Sequence, residues 1–273
     1  MGKIINQLFN LKDKTIVLGG GAGQIGFSMA LALADAGARV AIADIDTEMA
    51  EAKLRDTDPA LAAQISVYKL DVSSSSAVGE TLASIFEVHG ALYGLVNCFH
   101  FKGNTRKLDT SSNFFAGFED YPEEAWDLVH DVNLKGSFLM SQAAIPYMKK
   151  SGGGVIVNIS STYGNVSANK GIYGNSGINS PVAYGTSKAA LINLSRYIAT
   201  HFADSGIRCN TLSPGGVYNN QSEEFLKNYC TLTPLGRMAV PEDYQAAIVF
   251  LMSPGSGYMT GANLMVDGGW TAW

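Results

Sequence analysis

Short apolar runs recur along the chain, separated by stretches of helical length. Residues 14–18, 39–43, 65–70, 92–98, 155–160, 208–212 and 263–266 are continuous β-rich runs. A strand that is apolar on both sides is buried on both faces, as in a covered parallel sheet. Between these runs, residues 27–36, 123–149, 184–204 and 242–252 have the length and apolar spacing of helices. Strands alternating with helices predict a parallel sheet, and right-handed crossovers then leave a doubly wound α/β arrangement with helices on both faces. No linker, repeat or low-complexity tract interrupts the pattern. Residues 1–273 are therefore expected to form a single Rossmann-type domain with a sheet of about seven strands.

Two stretches break the alternation. Residues 99–121 are too polar and glycine-containing for a helix, yet too long for an ordinary connection between strand and helix. Residues 164–183 have the same character. Long irregular segments within a compact domain are often functional. Each follows an expected strand, which places both at the carboxyl edge of the sheet, where α/β proteins bind their ligands.

Composition narrows the function classes. With 47% hydrophobic and 16% charged residues the chain reads as globular and not as disordered. Its net charge of −5 leaves no electrostatic footprint for nucleic acid. No apolar run approaches the ~20 residues of a membrane span, and residues 1–10 lack a secretion signal. The expectation is a cytoplasmic protein with neither nucleic acid nor membrane as partner. Cys98, Cys209 and Cys230 are scattered, with no Cys-x-x-Cys and no His at metal spacing, and read as reduced thiols without a metal.

The candidate chemistry begins at the first strand, which runs into Gly19-Gly20-Gly21-Ala22-Gly23-Gln24-Ile25-Gly26 and then an apolar helix. Glycines let the backbone turn tightly and approach a pyrophosphate, and the helix start supplies free N–H groups and partial positive charge. Asp44 ends the second strand, where an acid either hydrogen-bonds adenosine ribose hydroxyls or caps the following helix. Asp71, ending the third, has the same two readings, with an adenine amine as its ligand. Tyr184 and Lys188 stand four apart at a helix start and share a face. A free tyrosine with a pKa near 10 is a poor acid–base at neutral pH, and an adjacent ammonium is expected to lower that value. Ser161 follows the 155–160 run and offers a hydroxyl to a substrate oxygen. Asn133 sits inside a helical segment, where a polar side chain needs a partner.

Taken in order, the glycine turn, Asp44, Asp71, Val157-Asn158-Ile159-Ser160-Ser161, Tyr184-Gly185-Thr186-Ser187-Lys188, Ser213-Pro214-Gly215 and Asp267-Gly268-Gly269 resemble the short-chain dehydrogenase/reductase family over nearly the whole chain. The segments Thr233-Pro234-Leu235-Gly236-Arg237 and Pro241-Glu242-Asp243 resemble its C-terminal half. The resemblance implies a catalytic set of Asn133, Ser161, Tyr184 and Lys188. Tyr184 would exchange a proton with the substrate oxygen, and Lys188 would bond the nicotinamide ribose and depress the tyrosine pKa. Ser161 would orient the substrate, and Asn133 would support a water-linked proton path. It also implies a cofactor set of Gly20, Gly23, Gln24, Ile25, Gly26, Asp44, Asp71, Val72, Asn97, Tyr184, Lys188, Pro214, Gly215 and Val217, with NAD preferred over NADP because Asp44 would repel a 2′-phosphate. Three departures stand out. Gln24 occupies the place of the family's middle glycine. Asn97-Cys98-Phe99-His100 keeps only the first residue of the family's stretch after strand four. Ser161 and Tyr184 are farther apart than usual, so the insert must bulge over the substrate site for them to meet.

The two long segments are rich in Asn, Ser, Gly and Tyr, with Lys102, Arg106 and Lys170 as available cations. Polar linings suit a hydroxyl-rich ligand, so a sugar or sugar derivative is expected, with Lys102, Arg106, Tyr173 and Asn175 as its contacts. The tail of the chain and this insert resemble a bacterial branch found among flagellin-modification and sialic-acid-like sugar pathways. Trp270 and Trp273 suit burial in a partner subunit, so a homo-oligomer, dimer or tetramer, is expected. Two other readings remain open: a sugar-nucleotide epimerase or dehydratase that recycles its NAD, suggested by the spacing of Gly20, Gly23 and Gly26, and a cofactor-binding regulator without catalysis.

Overall fold

In the computed structural model, which describes residues 2–101, 114–176 and 180–273, the seven expected strands form one sheet. They are β1 (Thr15–Gly19), β2 (Arg39–Asp44), β3 (Ile65–Lys69), β4 (Gly94–Asn97), β5 (Gly154–Ile159), β6 (Ile207–Pro214) and β7 (Asn263–Val266). The order is β3-β2-β1-β4-β5-β6-β7 and every pairing is parallel. The order reverses between β1 and β4, whose last residues Gly19 and Asn97 are in register. A crevice opens at the carboxyl ends on either side of such a reversal, and this is where a doubly wound sheet receives its ligand.

The described residues form ten α-helices, in chain order α1 (Lys3–Leu8), α2 (Gln24–Asp35), α3 (Thr47–Arg55), α4 (Pro59–Ala62), α5 (Ser75–His89), α6 (Glu123–His130), α7 (Gly136–Lys150), α8 (Val182–His201), α9 (Glu223–Leu232) and α10 (Gln245–Met252). Strand residues alternate between two cores. Ile16, Leu18, Val40, Ile42, Val155 and Val157 pack with Met29 and Leu33 of α2 and with Ile248 and Leu251 of α10. Val17, Ala41, Leu95, Ile156 and Cys209 pack with Leu82 of α5, Met140 and Ala144 of α7, and Ile198 of α8. Burial on both faces accounts for the unbroken apolar runs.

Two helices differ from the sequence expectation. Residues 123–149 are not one α-helix: α6 gives way to a π turn at Asp131–Lys135 before α7 begins. Residues 242–252 start with a 3₁₀ turn, Pro241–Tyr244. The helices that apolar spacing alone left unmarked are defined by their ends. Asp46, Ser74 and Ser222 accept from the backbone N–H groups of Met49, Ala77 and Phe225, which caps α3, α5 and α9. Among the described residues, no helix is long and apolar enough to cross a membrane.

Candidate active site

The glycine turn leaves β1 at the reversal point and feeds directly into α2. Gly20 has φ +79°, and a Cβ there would lie 2.6 Å from the Phe99 nitrogen. At Gly26 a Cβ would collide with the Gly20 carbonyl. Gly23 is the helix cap and carries no side-chain group, so the first amides of α2, at Gln24, Ile25 and Gly26, have no intrahelical acceptor. A backbone cradle bare of side chains at a helix N-terminus fits a pyrophosphate. Gln24, in place of a glycine, reaches across the site and donates from Nε2 to the Tyr218 carbonyl at 3.0 Å.

Asp44 lies at the end of β2, and its carboxylate accepts from the N–H of Ala22 at 2.9 Å and of Asp46 at 3.0 Å. The cap of α3 is Asp46, so of the two readings of Asp44 the helix cap falls to its neighbour. Lys53, which sequence reasoning missed, donates to the Ala22 carbonyl at 2.7 Å. Its position on α3 is set by the fold and has no local motif. Asp71 accepts from the Ser73 N–H and hydroxyl and closes a turn before α5, whose cap is Ser74. Val72 is buried against Gly136. Asn97, expected on the cofactor side, is 1% exposed. Its amide donates to Asn158 Oδ1 at 2.8 Å and lies 3.4 Å from Ser141 Oγ, so its side chain serves the interior. Any contact with a dinucleotide is left to its main chain. Pro214 ends β6, Gly215 packs on Asp267, and Val217 bridges to Ala239, which holds the loop that Gln24 touches.

The residues expected to form the reactive centre come together at the carboxyl ends of β4 and β5 and the start of α8. Ser161 follows β5, and its hydroxyl accepts from the Tyr163 N–H at 3.1 Å. Despite the long insert, Ser161 comes close enough to the Tyr184 hydroxyl to lower its pKa. Lys188, 3% exposed, donates to the Ile159 carbonyl at 2.8 Å and lies 5.8 Å from the Tyr184 ring centroid. Burial brings the Lys188 pKa down from 10.5 to about 8. The Tyr184 hydroxyl moves opposite to expectation: burial pushes its pKa up, and Cys98 and Tyr173 add to the rise while Ser161 opposes it. The physical reason is that the chain by itself aims the ammonium at the Ile159 carbonyl and surrounds the phenol with neutral groups.

Asn133 is fully buried by the π turn. Its Oδ1 accepts from the Phe101 N–H at 2.8 Å and its Nδ2 donates to Ser187 Oγ at 3.0 Å, while Ser187 donates to the Tyr184 carbonyl at 2.8 Å. These bonds make it a positioning residue that ties the segment after β4 to the start of α8. Ser187, Cys98 and the His100 ring, edge-on to Tyr184 at 5.9 Å, also escaped sequence reasoning. They come together only through folding.

The insert before Tyr184 is less polar than its composition suggests. A 3₁₀ turn at Lys170–Tyr173 buries Ile172 completely, in a cluster with Tyr229, Met238 and Trp270. Trp270, stacked on Tyr229 at 4.3 Å, is 7% exposed within its own chain and not reserved for a partner; Trp273 is 79% exposed. Lys170 and Asn175 are exposed. Lys102 and Arg106 lie outside the described residues. A cavity of about 200 Å³ lined by Lys14, Tyr93, Gly153 and Arg208 opens at the amino ends of the strands, the edge opposite Tyr184.

A family model described as enoyl-(acyl carrier protein) reductase matches residues 20–271, from the glycine turn to the tail. The chain belongs to the short-chain dehydrogenase/reductase family. This short-chain dehydrogenase/reductase is 32% identical over 274 residues to 2-(S)-hydroxypropyl-CoM dehydrogenase 3 of Xanthobacter autotrophicus, covering 96% of this chain and 98% of that one. It is 32% identical over 278 residues to D-threitol dehydrogenase of Mycolicibacterium smegmatis, covering 96% and 95%. A short chain dehydrogenase from Leptospira borgpetersenii with bound NAD+ matches at a TM-score of 0.84 and 33% identity, covering 99% and 97%. A gluconate 5-dehydrogenase from Burkholderia cenocepacia in complex with NADP and tartrate matches at 0.85 and 25% identity, covering 98% and 99%. The family is one of nicotinamide-dependent oxidoreductases, and both forms of the cofactor occur among its solved members.

Proposed function

We propose that this short-chain dehydrogenase/reductase interconverts a secondary alcohol and a ketone on a polar, sugar-like substrate, with Tyr184 as general acid–base and NAD preferred to NADP. The observation that carries the reading is the meeting of Ser161, Tyr184 and Lys188 at the crevice, with Lys188 Nζ 5.8 Å from the Tyr184 ring and Ser161 near enough to lower the Tyr184 pKa. When bound, the nicotinamide accepts or returns a hydride. In reduction the Tyr184 Oη proton passes to the carbonyl oxygen as the C–H bond forms, leaving the phenolate; in oxidation the phenolate form of Tyr184 takes the substrate O–H proton as the C–H bond breaks and the C=O bond forms. Ser161 orients the oxygen. The Lys188 ammonium, 5.8 Å from the Tyr184 ring and still largely protonated at pH 7 with a pKa of about 8, would favour the phenolate when it forms, without outweighing the effect of burial. Because burial raises the Tyr184 pKa, the resting side chain holds its proton at neutral pH and is set to act as an acid.

The NAD preference rests on Asp44, since a carboxylate at the end of the second strand accepts ribose hydroxyls and repels a 2′-phosphate. The sugar-like reading rests on hydroxyl-tipped and amide side chains of the insert, Tyr173 and Asn175, with Lys170, Lys102 and Arg106 as further candidates, and on the polyol named for one relative. The relatives lend no support to the narrower flagellin-modification branch, so the proposal stops at a polyol-like or sugar-like alcohol.

The test is a screen of polyols, sugars and sugar phosphates with NAD, NADP and their reduced forms, followed by cofactor absorbance. Turnover is expected with a polyol or sugar, faster with NAD. Tyr184→Phe should lower kcat about a thousandfold while NADH binding is retained. Unchanged turnover in Tyr184→Phe would overturn the catalytic assignment.

A further inference from the structure

The turn that carries Ser161 is held from two sides, and the first residue after it, Asn165, makes the hold on the second side. On the side of α8, Ser160 Oγ donates to the Lys188 carbonyl at 2.7 Å. Gly164 lies against the same peptide, where a Cβ would stand 2.9 Å from the Lys188 carbonyl oxygen. On the side of β6 and β7, Asn165 Nδ2 donates to the Ser161 carbonyl at 2.9 Å and to Ser213 Oγ at 3.1 Å. Ser213 Oγ donates to Asn263 Oδ1 at 2.7 Å, and Asn263 Nδ2 donates to Asn165 Oδ1 at 2.7 Å. Asn165, Ser213 and Asn263 form a closed ring in which each side chain donates to the next.

The direction of that ring is fixed. A carbonyl can only accept, so Asn165 must turn its amide nitrogen toward Ser161. Turning either amide over would set oxygen against oxygen, at Ser161 for Asn165 and at Asn165 for Asn263. Bonds linked head to tail polarise one another, so the ring holds Asn165 more firmly than a single contact would. Ser213 is fully buried in β6, Asn263 is half-buried in β7, and Asn165 sits at the exposed rim. An exposed asparagine that commits its amide protons and its carbonyl to the chain gives up side-chain freedom for this geometry.

What the ring holds is the orientation of Ser161. Its carbonyl accepts from the Asn165 amide and from the Gly164 N–H at 3.0 Å, and its hydroxyl accepts from the Tyr163 N–H at 3.1 Å. With the main chain and one lone pair of the hydroxyl so held, the hydroxyl proton is left for a group outside the turn. We propose that Asn165 is a positioning residue: through the ring with Ser213 and Asn263 it locks Ser161, so that the serine hydroxyl meets the reacting oxygen in one orientation. The proposal rests on the dehydrogenase reading above and extends that site to the carboxyl ends of β6 and β7.

Asn165→Ala in the full chain removes the link at an exposed position, so the variant is expected to fold and to bind NADH as the wild type does. With D-threitol and NAD, its kcat should fall at least about tenfold while KM changes by less than about threefold. Ser161→Ala alone should lower kcat as well. Adding Asn165→Ala to it should lower kcat no further, because the asparagine acts through the serine. Asn263→Asp, which keeps the acceptor for Ser213 and loses the donor to Asn165, should reproduce the fall. Independent losses in the double variant, an unchanged kcat in Asn165→Ala, or a loss confined to KM or NADH affinity would overturn the proposal. Crystal structures of the wild type and Asn165→Ala decide the matter without turnover: the Ser161 hydroxyl should keep its bond to the Tyr163 N–H in the first and leave it in the second. If D-threitol is not oxidised, the catalytic reading fails for this polyol. The positioning of Ser161 by Asn165 then stands if the hydroxyl moves and falls if it stays.

Discussion

Burying Lys188 takes an ammonium almost out of water, and its pKa drops from 10.5 to about 8. That difference corresponds to about 3 kcal/mol of folding free energy set against the charged form. The full penalty applies below pH 8. Between pH 8 and 10.5 the unfolded chain holds more protons than the folded one, so this group makes stability rise with pH across that window. Lys188→Met is expected to flatten the rise in thermal midpoint between pH 8 and 10.5 and to abolish hydride transfer, measured by thermal denaturation and cofactor absorbance. An unchanged slope would show that the ammonium is better solvated than its burial implies. Side-chain identity made Tyr184, Lys188 and Ser161 legible as candidates. The bonds of Asn133 to Phe101 and Ser187 were not legible, because both partners are remote in sequence.

At the scale of elements, the glycine turn and α2 behave as one unit. Gly26→Ala places a methyl group against the Gly20 carbonyl, and moving that carbonyl disturbs the cradle at the start of the helix. The expected result is NADH affinity lowered at least about tenfold and stability lowered by roughly 1–3 kcal/mol, checked by fluorescence titration and denaturant unfolding. Wild-type affinity in that variant would mean the dinucleotide does not use this turn. Elements were legible where periodicity is strong, as in all seven strands. The π turn at Asp131–Lys135 was not, because apolar spacing continues through it while one extra residue rotates Asn133 inward. Helix α9 escaped for another reason: it is only ten residues long, and its apolar face, Phe225, Leu226, Tyr229 and Cys230, meets a small cluster away from the two main cores.

For the whole molecule, the aromatic tail divides into two fates. Trp270 completes the chain's own cluster with Tyr229, whereas Trp273 leaves most of its surface in solvent. Trp126 and Phe138 also remain partly exposed on α6 and α7. Large exposed aromatics are what a subunit interface would cover. Light scattering is expected to report a homo-oligomer, dimer or tetramer, with Trp273→Ser lowering the assembled fraction. A monomer at all concentrations would remove that expectation.

Local chemistry determined much by itself: glycines for a tight turn, strands apolar on both sides, a tyrosine and a lysine one helical turn apart. These depend on neighbours within a few residues, and the chain encodes them directly. Tertiary structure decided which bonds those groups make. It turned Asn97 into the interior, assigned the helix cap to Asp46 and left Asp44 holding Ala22, aimed Lys188 at Ile159, and raised the Tyr184 pKa where the spacing alone suggested a fall. It also converted a polar-looking insert into a turn anchored by buried Ile172. Burial and partner geometry are properties of packing between distant segments, and so they became visible only when those segments met.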